Sequence, residues 1–327
     1  MSKNRALQQA AINQQDEFYT DIHDIEHELL YYSKELFYDN VVLCNCDDPY
    51  ESAFFEYFAT SFNSLRLKKL IATCYAGSSE RKPYCAEITS LHNYSRDVQR
   101  ELRILKGSGD FRSPECIELL KEADIVITNP PHSLLREYIA MLMKYEKKFL
   151  ILGNINAVTY KEVFPLFMSN QMWMGVSIHS GDRKFYVPEY YPLEASGCGV
   201  DDDGRKFIRV KGVRWFTNMR HGRSNETMVL FRKYYDNPDK YPKYDNYDAI
   251  EVSKTVEIPC DYLGVMGVPI TFLDKYNPAQ FQILGMSGTS FSEGIPECHT
   301  EGTSRNAKIN GRDIYRRIFI RRIGGIM

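Results

Sequence analysis

Asn129, Pro130, Pro131 and His132 follow the apolar run Ile125-Val126-Ile127-Thr128, and their types and order suggest a chemical task. Proline has no N–H for a sheet ladder and fixes its own φ, so a central strand must stop at Asn129. The stop leaves a carboxamide and the Pro130 carbonyl at a sheet edge, held by two stiff residues beside the flat His132 ring. Two fixed oxygen acceptors next to a flat face make a clamp for a planar, NH2-bearing group. A turn that merely ends a strand can have the same tripeptide, so the surroundings decide.

Three other clusters could serve such a clamp. Asp16-Glu17-Phe18-Tyr19-Thr20 precedes a helical pattern with Ile22, Ile25, Leu29 and Leu30 on one face; Thr20 or Asp21 can cap that helix. The buried run Val41-Val42-Leu43 ends in Cys44-Asn45-Cys46-Asp47-Asp48-Pro49 without a Gly-x-Gly turn. That suits a ligand lacking phosphates, because a cationic ligand group is matched by carboxylates and amide oxygens. In the bland reading Asp47, Asp48 and Pro49 are an N-cap and a first turn. Gly107-Ser108-Gly109-Asp110-Phe111 precedes a helix opening at Ser113-Pro114. There Asp110 can accept from a ligand donor and Phe111 can cover a flat ring, although Gly-Asp turns are common. A fourth pattern, His23-x-x-Glu26-His27, fits an inverted zinc motif and supports a zinc hydrolase as a rival; polar helix faces produce it often.

Arg205, Lys206, Arg209, Lys211, Arg214, Arg220 and Arg223 crowd a short stretch with Trp215 and Phe216 among them. Contacts to the phosphates of a duplex account for such a stripe; a solvated edge strand guarded by bases is the alternative. A second stripe, Arg312, Arg316, Arg317, Arg321 and Arg322, closes the chain.

These residues need a scaffold. Strands at Val41–Leu43, Lys69–Tyr75, Asp124–Asn129 and Lys148–Leu152 alternate with helices, among them Ser133–Lys144, which predicts an α/β fold with a largely parallel sheet and ligands at the strands' carboxyl ends. Residues 76 to 100 read as a polar connecting excursion. From about residue 177 the pattern changes to short strands and Gly-rich turns, so one domain is expected over 1–176 and a second over 177–327. With 327 residues, 43% of them hydrophobic, the chain can bury one large core or two smaller ones. A formal charge of −2 argues against a uniformly basic coat but not against local basic clusters. Eight cysteines without a C-x-x-C pair, no secretory segment and no apolar run of bilayer length predict a reduced, soluble, cytoplasmic protein.

An Asn-Pro-Pro-aromatic segment after an apolar strand resembles the signature of methyltransferases that modify exocyclic or amide nitrogens with S-adenosylmethionine. The ordered motifs DEFYT, NCDDP, GSGDFRS, DIVITNPPHSLLREY, KKFLILGNINAVTYKEVF, YPKYDNYDAI and GVMGVPITFLDKYNP look like the EcoRI-like family of adenine-specific DNA methyltransferases. The resemblance covers nearly the whole chain and is weakest at residues 76–105, 177–235 and 284–311. It implies a doubly wound, Rossmann-like methyltransferase sheet with an appended mixed α/β target-recognition region. It also implies N6 methylation of a flipped adenine in double-stranded DNA, within a restriction-modification or phage/host protection system that can include a cognate endonuclease. Asn129 and Pro130 would accept the target N–H groups and His132 would stack on the base, where the family has Phe. Cofactor contacts would fall to Phe18, Thr20, Asn45, Asp47, Asp110 and Phe111, and DNA contacts to the basic middle stretch. Rival readings are an RNA-base or protein-glutamine N-methyltransferase and a DNA-binding module without catalysis.

Overall fold

The computed structural model describes residues 18–46, 48–75, 82–89, 101–179, 181–187, 189, 191–193, 197–297 and 305–324. The chain is a mixed α/β protein that divides into two compact units. One comprises Met1–Ala157 with Met174–Gly222, the other Val158–Trp173 with Arg223–Met327.

In chain order the elements leading through the first unit are β1 (Tyr19–Thr20), α1 (Ile22–Leu29), β2 (Val41–Cys44), α2 (Ala53–Thr60), β3 (Lys69–Thr73), β4 (Tyr84–Ile88), β5 (Glu101–Ile104), α3 (Pro114–Glu122), β6 (Ile125–Thr128), α4 (Leu135–Lys144), β7 (Lys148–Asn154), β8 (Trp173–Met174), β9 (Asp182–Tyr186), β10 (Gly199–Val200), β11 (Lys206–Lys211) and β12 (Val213–Thr217). Among the described residues, eight strands form one sheet in the order β5-β4-β3-β2-β6-β7-β12-β8. Its centre, β3-β2-β6-β7, is parallel. All four residues of β2 and all four of β6 are buried, as expected for parallel strands covered on both faces. The helices start where side-chain caps allow. Ser52 accepts the N–H groups of Phe54 and Phe55 ahead of α2, and Ser113 accepts that of Cys116 ahead of α3, with Pro114 in the first turn.

Residues 76 to 100 hold more structure than an excursion. Within them β4 pairs antiparallel with β3 and then with β5. Cys85 and Ala86 are its buried central residues, and such small side chains give little hydrophobic pattern to read.

A second sheet, β1-β9-β11-β10, is antiparallel throughout. Along β11, Ile208 and Val210 are buried while Arg209 and Lys211 are exposed, the period of two expected of a strand with one solvated face. Its inner residues share one core with the large sheet, in which Phe18, Phe185, Ile208, Val210 and Trp215 belong to a single cluster. Gly212 joins the two sheets; its φ of +73° allows the chain to leave β11 and enter β12 within one residue.

The expected boundary at 176/177 therefore does not match the packing. Strand β12 lies antiparallel against β7, with Trp215 opposite Leu152, so residues 174–222 belong to the unit that holds the parallel strands. Val158–Trp173 belongs to the other.

The second unit contains the short helix α5 (Phe164–Met168), β13 (Ile250–Glu251), β14 (Val265–Val268), β15 (Phe281–Met286), the hairpin β16 (Lys308–Ile309) and β17 (Arg312–Asp313), and β18 (Ile318–Arg322). Four of these strands form a sheet in the order β13-β14-β18-β15. Its core includes Tyr244, Tyr247, Val265 and Phe319. The C-terminal basic stripe is partly internal. Arg317 forms a bidentate pair with the buried Glu251, Nη2 to Oε1 being 2.7 Å, and Tyr244 donates its hydroxyl to the same carboxylate. No helix among the described residues is long and apolar enough to cross a membrane.

Candidate active site

Three parallel strand ends build the site. The register Leu43 opposite Val126 brings the ends of β2 and β6 level, and the Cys46 N–H donates to Thr128 Oγ1 at 3.2 Å just beyond them. On the other side of β2 the Gly-Asp-Phe turn presses against the end of β3. A Cβ built on Gly109 would lie 2.2 Å from the Cys74 carbonyl oxygen, and Gly109 has φ +76°, so only glycine fits this approach. Asn45, Asp110, Phe111 and Asn129 thus gather at one carboxyl edge.

Asn129 is buried, and its Nδ2 donates to the Phe18 carbonyl at 2.8 Å. That bond fixes which side of the amide carries its oxygen. The His132 ring stands edge-on to Phe18 at 5.8 Å between centroids and to Phe185 at 6.4 Å, while Tyr191 closes on Phe18 from another side at 6.3 Å. Pro130 is buried, and Pro131 leads at φ −54° into the turn His132–Leu134 ahead of α4. Thr20, two residues from Phe18, lies on β1, and Asp21 rather than Thr20 caps α1, accepting the His23 N–H at 2.9 Å.

Around Asn45 the amide oxygen accepts from the Tyr138 hydroxyl of α4 and from Cys46 Sγ, and Phe111 packs its ring edge-to-face with Tyr138 at 5.0 Å. Asp110 is held by Arg112 through Nε at 2.8 Å and Nη2 at 2.6 Å. Hydrogen bonds from that guanidinium keep the Asp110 carboxyl below the usual carboxylate range, so it stays an anionic acceptor at neutral pH. Asp47 lies outside the described residues. Its neighbour Asp48 does not cap α2; it accepts the Tyr50 N–H at 2.9 Å and the Tyr84 hydroxyl. Tyr138, Arg112, Phe185 and Tyr191 were not identified from sequence. A phenol on an apolar helix stripe is the one signal that could have drawn attention to Tyr138, because a buried hydroxyl needs a partner.

Two buried polar atoms are suited to a small-molecule ligand. Thr20 Oγ1 and Asn45 Nδ2 have no hydrogen-bond partner among the described residues, although both residues are at most 5% exposed. At the strand edge the Asn45 amide donor and the Asp110 carboxylate offer a polar ligand one donor and one anionic acceptor.

The basic stretch divides by strand face. Arg209 and Lys211 project from β11 into solvent, and Arg205, Arg220 and Arg223 are exposed. Arg209 is 3.3 Å from Asp182, and Arg205 stacks on Tyr186 at 3.7 Å. Lys206 is half-buried, with Nζ on the Glu189 carbonyl. Arg214 does not belong to the exposed set. It is 4% exposed, and its guanidinium donates to the carbonyls of Val213 and His179. Trp215 and Phe216 are core residues with no exposed surface. Arg223 lies in the second unit.

The zinc pattern does not assemble. His23 pairs with Glu26 at 3.3 Å, the His27 ring tilts against Tyr31 at 6.0 Å, and no metal-binding group of three or more His, Cys, Asp or Glu occurs among the described residues.

The sequence matches the family described as adenine-specific methyltransferase EcoRI over residues 6–323. It is 46% identical to the type II methyltransferase M.EcoRI of Escherichia coli, covering 97% of this chain and 96% of that protein. It is 41% identical to the type II methyltransferase M.MpnI of Mycoplasma pneumoniae over 82% of each chain. A type II methyltransferase of Mycoplasma genitalium, M.MgeORF184P, is 36% identical over 94% of this chain and 95% of its own length. No solved structure matches. With a match from residue 6 to residue 323, the chain belongs to the EcoRI family of adenine-specific methyltransferases.

Proposed function

We propose that the chain transfers a methyl group from S-adenosylmethionine to N6 of an adenine rotated out of duplex DNA, at a specific site, in the cytoplasm, as the modification half of a restriction-modification or phage/host protection system. A cognate endonuclease would be its functional counterpart. The observation that carries the reading is the Asn129 amide, pinned through Nδ2 to the Phe18 carbonyl at the end of β6, level with Asn45 at the end of the neighbouring parallel strand. Parallel strands on both sides of β2, with ligand residues at their carboxyl ends, support a doubly wound, Rossmann-like sheet whose switch point is the cofactor crevice.

Phe18, Thr20, Asn45, Asp110 and Phe111 would hold the cofactor, which supplies an electrophilic sulfonium methyl. Asn129 Oδ1 and the Pro130 carbonyl accept the two N–H groups of the target amine. Both bonds draw the nitrogen lone pair out of conjugation with the ring and towards the methyl, so orientation lowers the barrier without prior deprotonation. Nitrogen gains positive charge as the N–CH3 bond forms and the S–CH3 bond breaks, its electron pair staying on sulfur; the same two oxygens stabilise that charge, and the surplus N6 proton leaves along one of these hydrogen bonds to solvent once the methyl is in place. Phe18, Phe185 and Tyr191 keep water from the reacting atoms. Arg205, Lys206, Arg209, Lys211, Arg220 and Arg223 are the DNA candidates, since a flipped base requires the duplex to be held on both sides of the gap; the buried Arg214 is not among them.

The test is to map modified bases in DNA from cells expressing the chain, together with nucleoside mass spectrometry of duplex treated in vitro. N6-methyladenine in one sequence context is expected. Methyl label appearing in RNA or in protein glutamine, with none in DNA, overturns the assignment; failure to bind cofactor points to a DNA-binding module instead.

A further inference from the structure

Asn45 could face its ligand with either end of its amide, and the choice decides what it can bind. Its oxygen is already used twice, by the Tyr138 hydroxyl and by Cys46 Sγ. The NH2 group is therefore left for other partners. Asn45 Nδ2 is buried with no acceptor among the described residues, and a buried donor without an acceptor is unfavourable until one arrives.

Tyr138 is itself fully buried on α4, and Phe111 packs edge-on against its ring at 5.0 Å. The hydroxyl therefore has little freedom, and it is rigid where an exposed phenol would not be. Without it, the Asn45 amide could turn over and present its oxygen to the ligand. An oxygen there would repel an acceptor; an NH2 group binds one.

We propose that Tyr138 is a positioning residue that locks the Asn45 amide with its NH2 facing the cofactor, where it donates to a cofactor acceptor. The acceptor is either the carboxylate of the amino-acid part or an oxygen or ring nitrogen of the nucleoside. This rests on the reading of the strand edge as the cofactor crevice.

The experiment measures binding of S-adenosylhomocysteine to the full chain by calorimetry. Tyr138→Phe keeps the ring and its packing on Phe111, and should weaken binding about tenfold, the scale of one well-placed hydrogen bond. Asn45→Asp retains an acceptor for the Tyr138 hydroxyl but removes both N–H donors, so it should weaken binding at least as much. If Tyr138 only supported the fold, Tyr138→Phe would lower the melting temperature and leave the affinity of the folded protein at the wild-type value. In an Asn45→Ala background, Tyr138→Phe should add no further loss, because the amide it orients is gone.

5′-Methylthioadenosine, which lacks the amino-acid part, separates the two acceptors. A Tyr138→Phe loss seen with S-adenosylhomocysteine alone assigns the carboxylate, and an equal loss with both ligands assigns the nucleoside; either outcome supports the lock. Wild-type affinity in folded Tyr138→Phe, or losses that simply add in the double variant, overturns it. A wild-type chain that binds neither ligand removes the cofactor crevice itself, and the inference with it.

Discussion

At Asn129 one end of the amide is anchored and the other is thereby oriented. Its Nδ2 is tied to the Phe18 carbonyl, so the orientation of its oxygen is set before any substrate arrives. Asn129→Ala should lower methyl transfer by at least ~100-fold, the scale of losing one oriented polar group, while S-adenosylhomocysteine still binds; single-turnover transfer and calorimetry on the same variant check both halves. His132 stands in a corner formed by Phe18 and Phe185, where a benzene ring can replace imidazole. His132→Phe should hold or raise activity on a given duplex, whereas His132→Ala should lose roughly 1 to 3 kcal/mol of base binding. Equal damage from both would mean that the ring nitrogens matter. The end of β6 was legible in the sequence because two prolines dictate where the strand stops whatever surrounds them. Tyr138 and Arg112 were not legible, since their roles depend on partners 93 residues away in one case and on the local fold of a turn in the other. The turn after β2 suggests amide oxygens as ligand partners; in the fold the Asn45 oxygen accepts from Tyr138, and its nitrogen has no partner among the described residues.

Among the elements, β11 and β12 show how a run of bases misleads. Read as one stripe, Arg209, Lys211 and Arg214 are equivalent; in the fold Gly212 ends one strand and starts another in a different sheet. The first two keep the outward face of β11, while Arg214 enters the core beside Trp215. Strand periodicity was visible along Phe207 to Lys211, but nothing in the sequence indicates that Val213 to Thr217 is covered on both faces. Distinct outcomes follow for the two kinds of variant. Arg209→Ala with Lys211→Ala should weaken duplex binding and reduce the slope of log affinity against log salt by about 0.9 for each phosphate that is no longer neutralised. Arg214→Ala should leave that slope alone and lower the melting temperature, because the carbonyls of Val213 and His179 lose a buried donor at about 1–3 kcal/mol. Salt titrations and thermal melts of the two variants separate the effects, and an unchanged slope in the Arg209/Lys211 pair would make β11 an edge guard only.

Over the whole molecule, sequence order and packing diverge. The parallel strands and their order along the chain could be read in advance, because continuous apolar runs separated by helical patterns permit few alternatives. The partition into units could not, because it depends on β12 returning to β7 from beyond the compositional break. All the described cofactor candidates, Phe18, Thr20, Asn45, Asp110 and Phe111, lie in the first unit. The second has its own core and its own buried ion pair, Arg317 with Glu251. Burial and the neighbouring Glu251 charge raise the Tyr244 pKa, so its hydroxyl stays protonated and donates to that carboxylate. Arg317→Met would keep most of the side-chain volume but leave Glu251 buried with a phenol as its remaining strong donor. Removing one partner of such a pair costs about 3–5 kcal/mol, so the second unit should melt earlier. Below that transition, S-adenosylhomocysteine should bind with wild-type affinity, since no described cofactor candidate has been touched. Calorimetric scans paired with binding isotherms at a temperature where the variant is still folded make the comparison. A weakened isotherm under those conditions would show that the second unit contributes to the cofactor crevice, and that the residues assigned to it from the strand edge are incomplete.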